Sequence, residues 1–125
     1  MDEHKPATEI EIPEFNFDPV YANNTRFEPS VWDLKVLFGE LRRHTDKSVV
    51  QWHTAITMPW MQAKIFEYWL RVNLLLHQLE NGSIQIHPNV LPPQPVLPSG
   101  ELENDPIAKA QYEQSLKIYA DVFGD

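Results

Sequence analysis

Pro59-Trp-Met-Gln-Ala-Lys-Ile-Phe-Glu-Tyr-Trp-Leu-Arg-Val-Asn-Leu-Leu-Leu-His-Gln-Leu-Glu-Asn81 is the stretch around which the rest of the chain has to be arranged. Met61, Ile65, Tyr68, Trp69, Val72, Leu75, Leu76 and Leu79 recur at the steps that line one face of a 3.6-residue period, so the spacing predicts a helix. Phe66, Leu70 and Leu74 add a second row at steps of four, widening the apolar arc beyond what one sheet needs and implying a second partner surface. Thr57 or Met58 can cap the start, Pro59 suits a first turn whose N–H would be orphaned anyway, and Gly82 supplies a left-handed stop.

Upstream of this helix the period changes from helical to alternating. Over 31–41, Trp32, Leu34, Val36 and Phe38 share one face; over 48–58, Val50, Trp52, Ile56 and Met58 do the same, with Gln51, His53 and Thr57 opposite. Residues 20–28 are less regular, with Tyr21 and Phe27 in phase, and Pro29-Ser30 turns the chain into the next strand. The expectation is an α+β fold: an antiparallel three-stranded meander, its 42–47 segment a hairpin loop, packed by the one long helix. Such a unit leaves two sheet edges and a bare face, which pairing between subunits would remove.

The flanks differ in composition. Residues 1–18 hold six acids against one lysine, and Ile10, Ile12, Phe15 and Phe17 alternate around Pro13, as an acidic extended arm would. After Gly82, five prolines between Pro88 and Pro98 favour an extended linker, whose Leu91-to-Pro95 run also has the composition of a groove-docking peptide. A second helix follows, capped by Asn104 or Asp105, with Pro106 in its first turn and Ala108, Tyr112, Ser115, Leu116, Tyr119 and Phe123 along its stripe. The expected organisation is therefore an arm at 1–18, a β-β-β-α core at 19–87, a linker at 88–103 and a C-terminal helix at 104–125.

The charge balance bounds the partners. Ten basic against eighteen acidic residues give a net −8, which repels nucleic acid and anionic membranes alike, and the Arg42-Arg43-His44 cluster reads as a solvated loop. Polar residues such as Lys64, Glu67 and Arg71 interrupt the long helix on one side, so it is expected to be amphipathic, not membrane-spanning. The acidic start lacks the pattern of an export signal and there is no cysteine, both of which fit a cytoplasmic protein.

The search for chemistry returns little. There is no nucleophile elbow, no phosphate-cradling glycine loop among four glycines and no His-Glu-x-x-His, so neither a cofactor nor a catalytic residue is expected. His4, His44, His53, His77 and His87 have no helical or hairpin spacing that presents a metal pair. The glycosylation pattern occurs at Asn23-Asn24-Thr25 and Asn81-Gly82-Ser83, where each asparagine has a structural alternative. Tryptophan is the residue most out of proportion. Trp32, Trp52 and Trp69, with Phe66, Leu70, Leu74, Tyr112, Leu116, Tyr119 and Phe123, are the candidate interface residues.

Tyr21-Ala22-Asn23, Phe38-Gly39, Met58-Pro59-Trp60 with Ala63-Lys64, and Gly82-Ser83-Ile84 follow one another here in an order and spacing that resembles a family of short uncharacterised bacterial proteins, a domain of unknown function. In that family a serine and a proline stand where this chain has Pro59 and Trp60, so the capping serine is lost. The resemblance implies bacterial origin and supplies no activity. In architecture alone, a sheet backed by a long helix is similar to the export chaperone SecB, which binds unfolded segments. Three readings follow: a non-enzymatic homo-oligomeric binding or scaffold module, with a dimer expected; a chaperone-like binder of unfolded peptides; and a small-molecule sensor or enzyme with an intersubunit site near Gln51, Trp52 and His53.

Overall fold

In the computed structural model the described residues are 10–11 and 18–124, and the side chain of residue 44 is not described. The acidic arm expected at 1–18 lies, apart from residues 10, 11 and 18, outside them. The chain divides into two compact units, Met1–His77 and Gln78–Asp125.

In the first unit β1 (Asn24–Pro29), β2 (Asp33–His44) and β3 (Lys47–Pro59) form an antiparallel sheet in the order β1-β2-β3, followed by α1 (Trp60–Asn81), whose residues from Gln78 on count with the second unit. The meander and the long helix are those the sequence predicts, and the class is α+β. Strand ends differ more. The expected loop at 42–47 is mostly ladder: His44 pairs with Lys47, and only Thr45 and Asp46 turn, with Thr45 at φ 43°. Leu41 and Arg42 are exposed, so no alternation marks this end of β2, and backbone pairing extends it regardless. The ribbon projects past β1, whose own pairing stops at Asn24 against Gly39.

The β1–β2 turn is set by Ser30. Its hydroxyl oxygen accepts from the Trp32 and Asp33 backbone N–H groups at 3.1 and 3.0 Å, which closes the chain over three residues. Trp32, expected on the apolar face of β2, is therefore on the turn and 83% exposed. The turn in return accepts a hydrogen bond: Trp60 donates its indole N–H to the Ser30 carbonyl at 2.9 Å, tying the first residue of α1 to the β1–β2 turn at the same end of the sheet.

Helix α1 begins one residue after β3 ends, because Pro59 cannot continue the ladder. Its first turns border the sheet's apolar face and do not cover it, contrary to the expectation of a covering helix. Among the described residues Val36 is the only buried hydrophobic, at 5% exposure, and no residue of α1 is buried. Gly82, with φ 85°, ends the helix by donating its N–H to the Gln78 carbonyl at 2.8 Å, the left-handed stop that lacks a Cβ penalty only for glycine.

In the second unit the proline-rich segment lies along α2 (Pro106–Phe123). Tyr119 donates its hydroxyl to the Pro92 carbonyl at 2.7 Å, and Pro95 and Pro98 are half-buried beside Ala108 and Tyr112. Asp105 caps α2, its carboxylate accepting from the Ile107 N–H at 2.9 Å. The aromatic side of α2 thus has a partner within its own unit, where Tyr119 and Phe123 also meet ring to ring at 5.0 Å.

Candidate functional site

The most developed concavity of the first unit is the space between the sheet and the start of α1. Thr25 and Phe27 of β1, Leu34, Val36 and Phe38 of β2, and Ile56 and Met58 of β3 form its floor; Ala63, Phe66 and Leu70 of α1 form its wall. The register explains the floor, since Phe27 pairs with Val36, Val36 with Ile56 and Leu34 with Met58, and paired residues share a face. The cavity measures about 520 Å³ and its lining is almost wholly apolar. It presents no charged group and no hydroxyl beyond Thr25, so what it can do chemically is exclude water from an apolar surface.

The alternation that predicts this floor fails at one point. The ladder steps from Phe38 opposite Thr54 to Gly39 opposite Trp52, leaving His53 as the extra residue of a β-bulge. Past the bulge the phase of β3 inverts. Trp52 and Val50, expected beside Ile56 and Met58, are therefore carried to the opposite face of the sheet. There the Arg26 guanidinium sits 5.4 Å from the centre of the Trp52 ring, a cation–π contact. Arg26 also donates to the Glu28 carboxylate at 2.9 Å, and Lys35 approaches it at 3.3 Å. The Glu28 carboxyl is held below its ordinary range by the hydrogen bond from Arg26 first, then that from Lys35.

The bulge gathers further contacts. The Asn23 backbone N–H donates to the Gly39 carbonyl at 3.0 Å and its side-chain oxygen accepts from the Leu41 N–H at 2.8 Å, which extends pairing past the end of β1. His53 Nε2 donates to the Tyr21 carbonyl at 3.0 Å, since a carbonyl can only accept, and Nδ1 shares a hydrogen bond of 2.7 Å with the Thr54 hydroxyl. Both ring nitrogens are thereby engaged. A Cβ on Gly39 would stand 2.7 Å from the Trp52 ring and 2.8 Å from the Gln51 carbonyl oxygen, so the residue under the indole has to be glycine.

Of the ten candidate interface residues, the six in the first unit are not brought to one place. Phe66 and Leu70 line the groove, Trp52 is on the other face of the sheet, Trp32 is on the turn, and Trp69 and Leu74 lie on α1 outside the lining. Trp69 instead meets the Tyr68 ring edge-on at 4.9 Å. Tyr112, Leu116, Tyr119 and Phe123 belong to α2, with Leu116 the exposed member. Phe27, Leu34, Met58 and Ala63 line the groove without being among the ten candidates, although the alternation that places the strands marks Phe27, Leu34 and Met58. Among the described residues no group of three or more His, Asp or Glu side chains is placed to hold a metal, and no helix is long and apolar enough to cross a membrane.

Comparison with known proteins agrees with the resemblance at the level of family. No curated protein and no solved structure matches the chain. The family model described as "Protein of unknown function (DUF3467)" matches residues 1–86, which takes in the sheet, all of α1 and its glycine stop and leaves α2 outside, and the chain belongs to that family.

Proposed function

We propose that this chain is a non-enzymatic, homo-oligomeric protein-binding module of the bacterial cytoplasm, working as a dimer. The observation that carries the reading is the shortage of interior: Val36 alone is buried among the described hydrophobic residues, while Phe27, Ile56, Phe66 and Leu70 around the groove remain 45–61% exposed. A lone copy with so little burial has little to offset the conformational entropy of folding, and association with a second copy buries further surface. Exposed apolar surface that is contiguous and concave is characteristic of association sites, whereas scattered apolar residues are ordinary.

Light scattering behind size exclusion of the full chain tests the reading. The expected mass at micromolar concentration is twice the 14.6 kDa of one chain, and a monomer there refutes it. The apolar lining also favours a second reading, capture of unfolded apolar segments in the groove. In that case stoichiometric protein suppresses aggregation of a denatured client, and no suppression removes it.

A further inference from the structure

The two edges of the sheet are built differently. The β1 edge is six residues long, carries Arg26 and Glu28 and ends in Pro29, which combines three devices that keep edge strands from pairing: shortness, charge and proline. The β3 edge is 13 residues long, and between Ser48 and Met58 it has neither a proline nor an Asp, Glu, Lys or Arg. Among the described residues no strand pairs with its outer side.

We infer that the outer edge of β3 pairs antiparallel with β3 of a second copy across a two-fold axis, joining two three-stranded sheets into one of six. The inference rests on the homo-oligomer reading and names its interface. Self-pairing matches the edge in length by construction, and a two-fold contact sets the same patch on both copies. Charge permits it: each chain carries −8 overall, yet Lys47, at the strand's end, is the only Asp, Glu, Lys or Arg on β3 before Pro59, so no like charges oppose along the new ladder. The bulge at His53 divides the edge into regular runs at 47–52 and 54–59, and either is long enough to hold a ladder of ordinary strand length. An axis perpendicular to the sheet keeps both apolar grooves on one side, giving the assembly a doubled apolar floor.

The absence of cysteine makes the test direct. Single cysteines are placed in turn at positions 48–57 and, as controls, at Phe66 and Leu70, in the full chain, and each variant is oxidised after its circular dichroism is checked. Antiparallel partners lie about 4.5–5.5 Å apart, within disulfide reach, and two copies of one residue separate by about 6.6 Å for each position away from the axis. The expected result is a narrow peak of crosslinked dimer at one or two neighbouring positions of β3, several-fold above those three residues away. Hydrogen exchange on the unsubstituted protein gives the same answer without mutation: alternate β3 amides, those facing away from β2, are protected as strongly as the ones paired to it. A dimer by light scattering that crosslinks at Phe66 or Leu70 and nowhere on β3, with outward β3 amides exchanging freely, overturns this interface while leaving the homo-oligomer reading intact. A monomer overturns both.

Discussion

Replacing Gly39 by alanine asks whether the bulge is as tightly built as its distances say. The new Cβ meets the Trp52 Cε3 at 2.7 Å, the Gln51 carbonyl oxygen at 2.8 Å and the Trp52 Cα at 3.1 Å. Rotating the indole relieves the first of these; the other two are backbone and yield only if β3 moves. Gly39 has no positive φ, so the cost is one of space and not of backbone conformation. Overpacking of this kind costs roughly 1–3 kcal/mol, against which the entropy lost from the unfolded chain on replacing glycine returns about 0.4–1 kcal/mol. The net expectation is a loss of about 1–2 kcal/mol. At about 3–6 °C per kcal/mol for a chain of this size, the midpoint falls by roughly 3–12 °C. Urea unfolding followed by tryptophan fluorescence, at one fixed protein concentration, measures the free-energy loss. The double variant with Trp52→Ala separates the causes: removing the indole recovers less than half of the alanine's cost when backbone contact dominates. A Gly39→Ala protein within about 0.3 kcal/mol of the parent refutes the close approach, and full recovery in the double variant refutes its attribution to backbone.

Trp60→Phe keeps an aromatic ring, though a smaller one, and removes the N–H that holds α1 to the Ser30 carbonyl; a loss of about 0.5–1.5 kcal/mol is expected in urea unfolding, toward the low end because Trp60 is 43% exposed. Tyr119→Phe removes the bond to Pro92, and proteolysis should then cut within the proline-rich segment faster than in the parent while the circular dichroism of α2 is retained. For Glu28 the folded state holds the carboxyl pKa low, so its contribution to stability is present above the unfolded pKa and is lost as pH falls through the folded one; Glu28→Gln should therefore lower stability slightly near neutrality and leave it unchanged below the folded pKa, which flattens the acid limb of a stability-against-pH profile.

The strands and the long helix are legible in the sequence because each has one face with a single period, and Gly82 and Pro59 punctuate them where their backbone chemistry requires. The hairpin tip is not legible, since the pairing of Leu41 with Val50 and Arg42 with Val49 is a backbone matter that no side-chain pattern records. The largest misreading concerns Trp52. Alternation assigns faces by counting, and one extra residue reverses every assignment beyond it. The signal was present in Gly39: a glycine inside an otherwise regular strand marks a bulge or a close backbone approach, and here it marks both.

The candidate site was half-read for a different reason. Periodicity states which side chains must leave water but not which surface receives them, so Phe66 and Leu70, assigned to an interface by the excess width of the helical arc, carry no address in the sequence. The groove supplies part of one. Both residues stand against Phe27, Val36 and Ile56 without closing over them, and a helix that starts one residue after its strand and is pinned at Trp60 has little freedom to swing inward. On the proposed reading the floor is covered by a partner molecule, to which the β3-paired dimer presents two such floors on one side. Association of the kind proposed would then complete the core through the same residues that leave the fold unfinished.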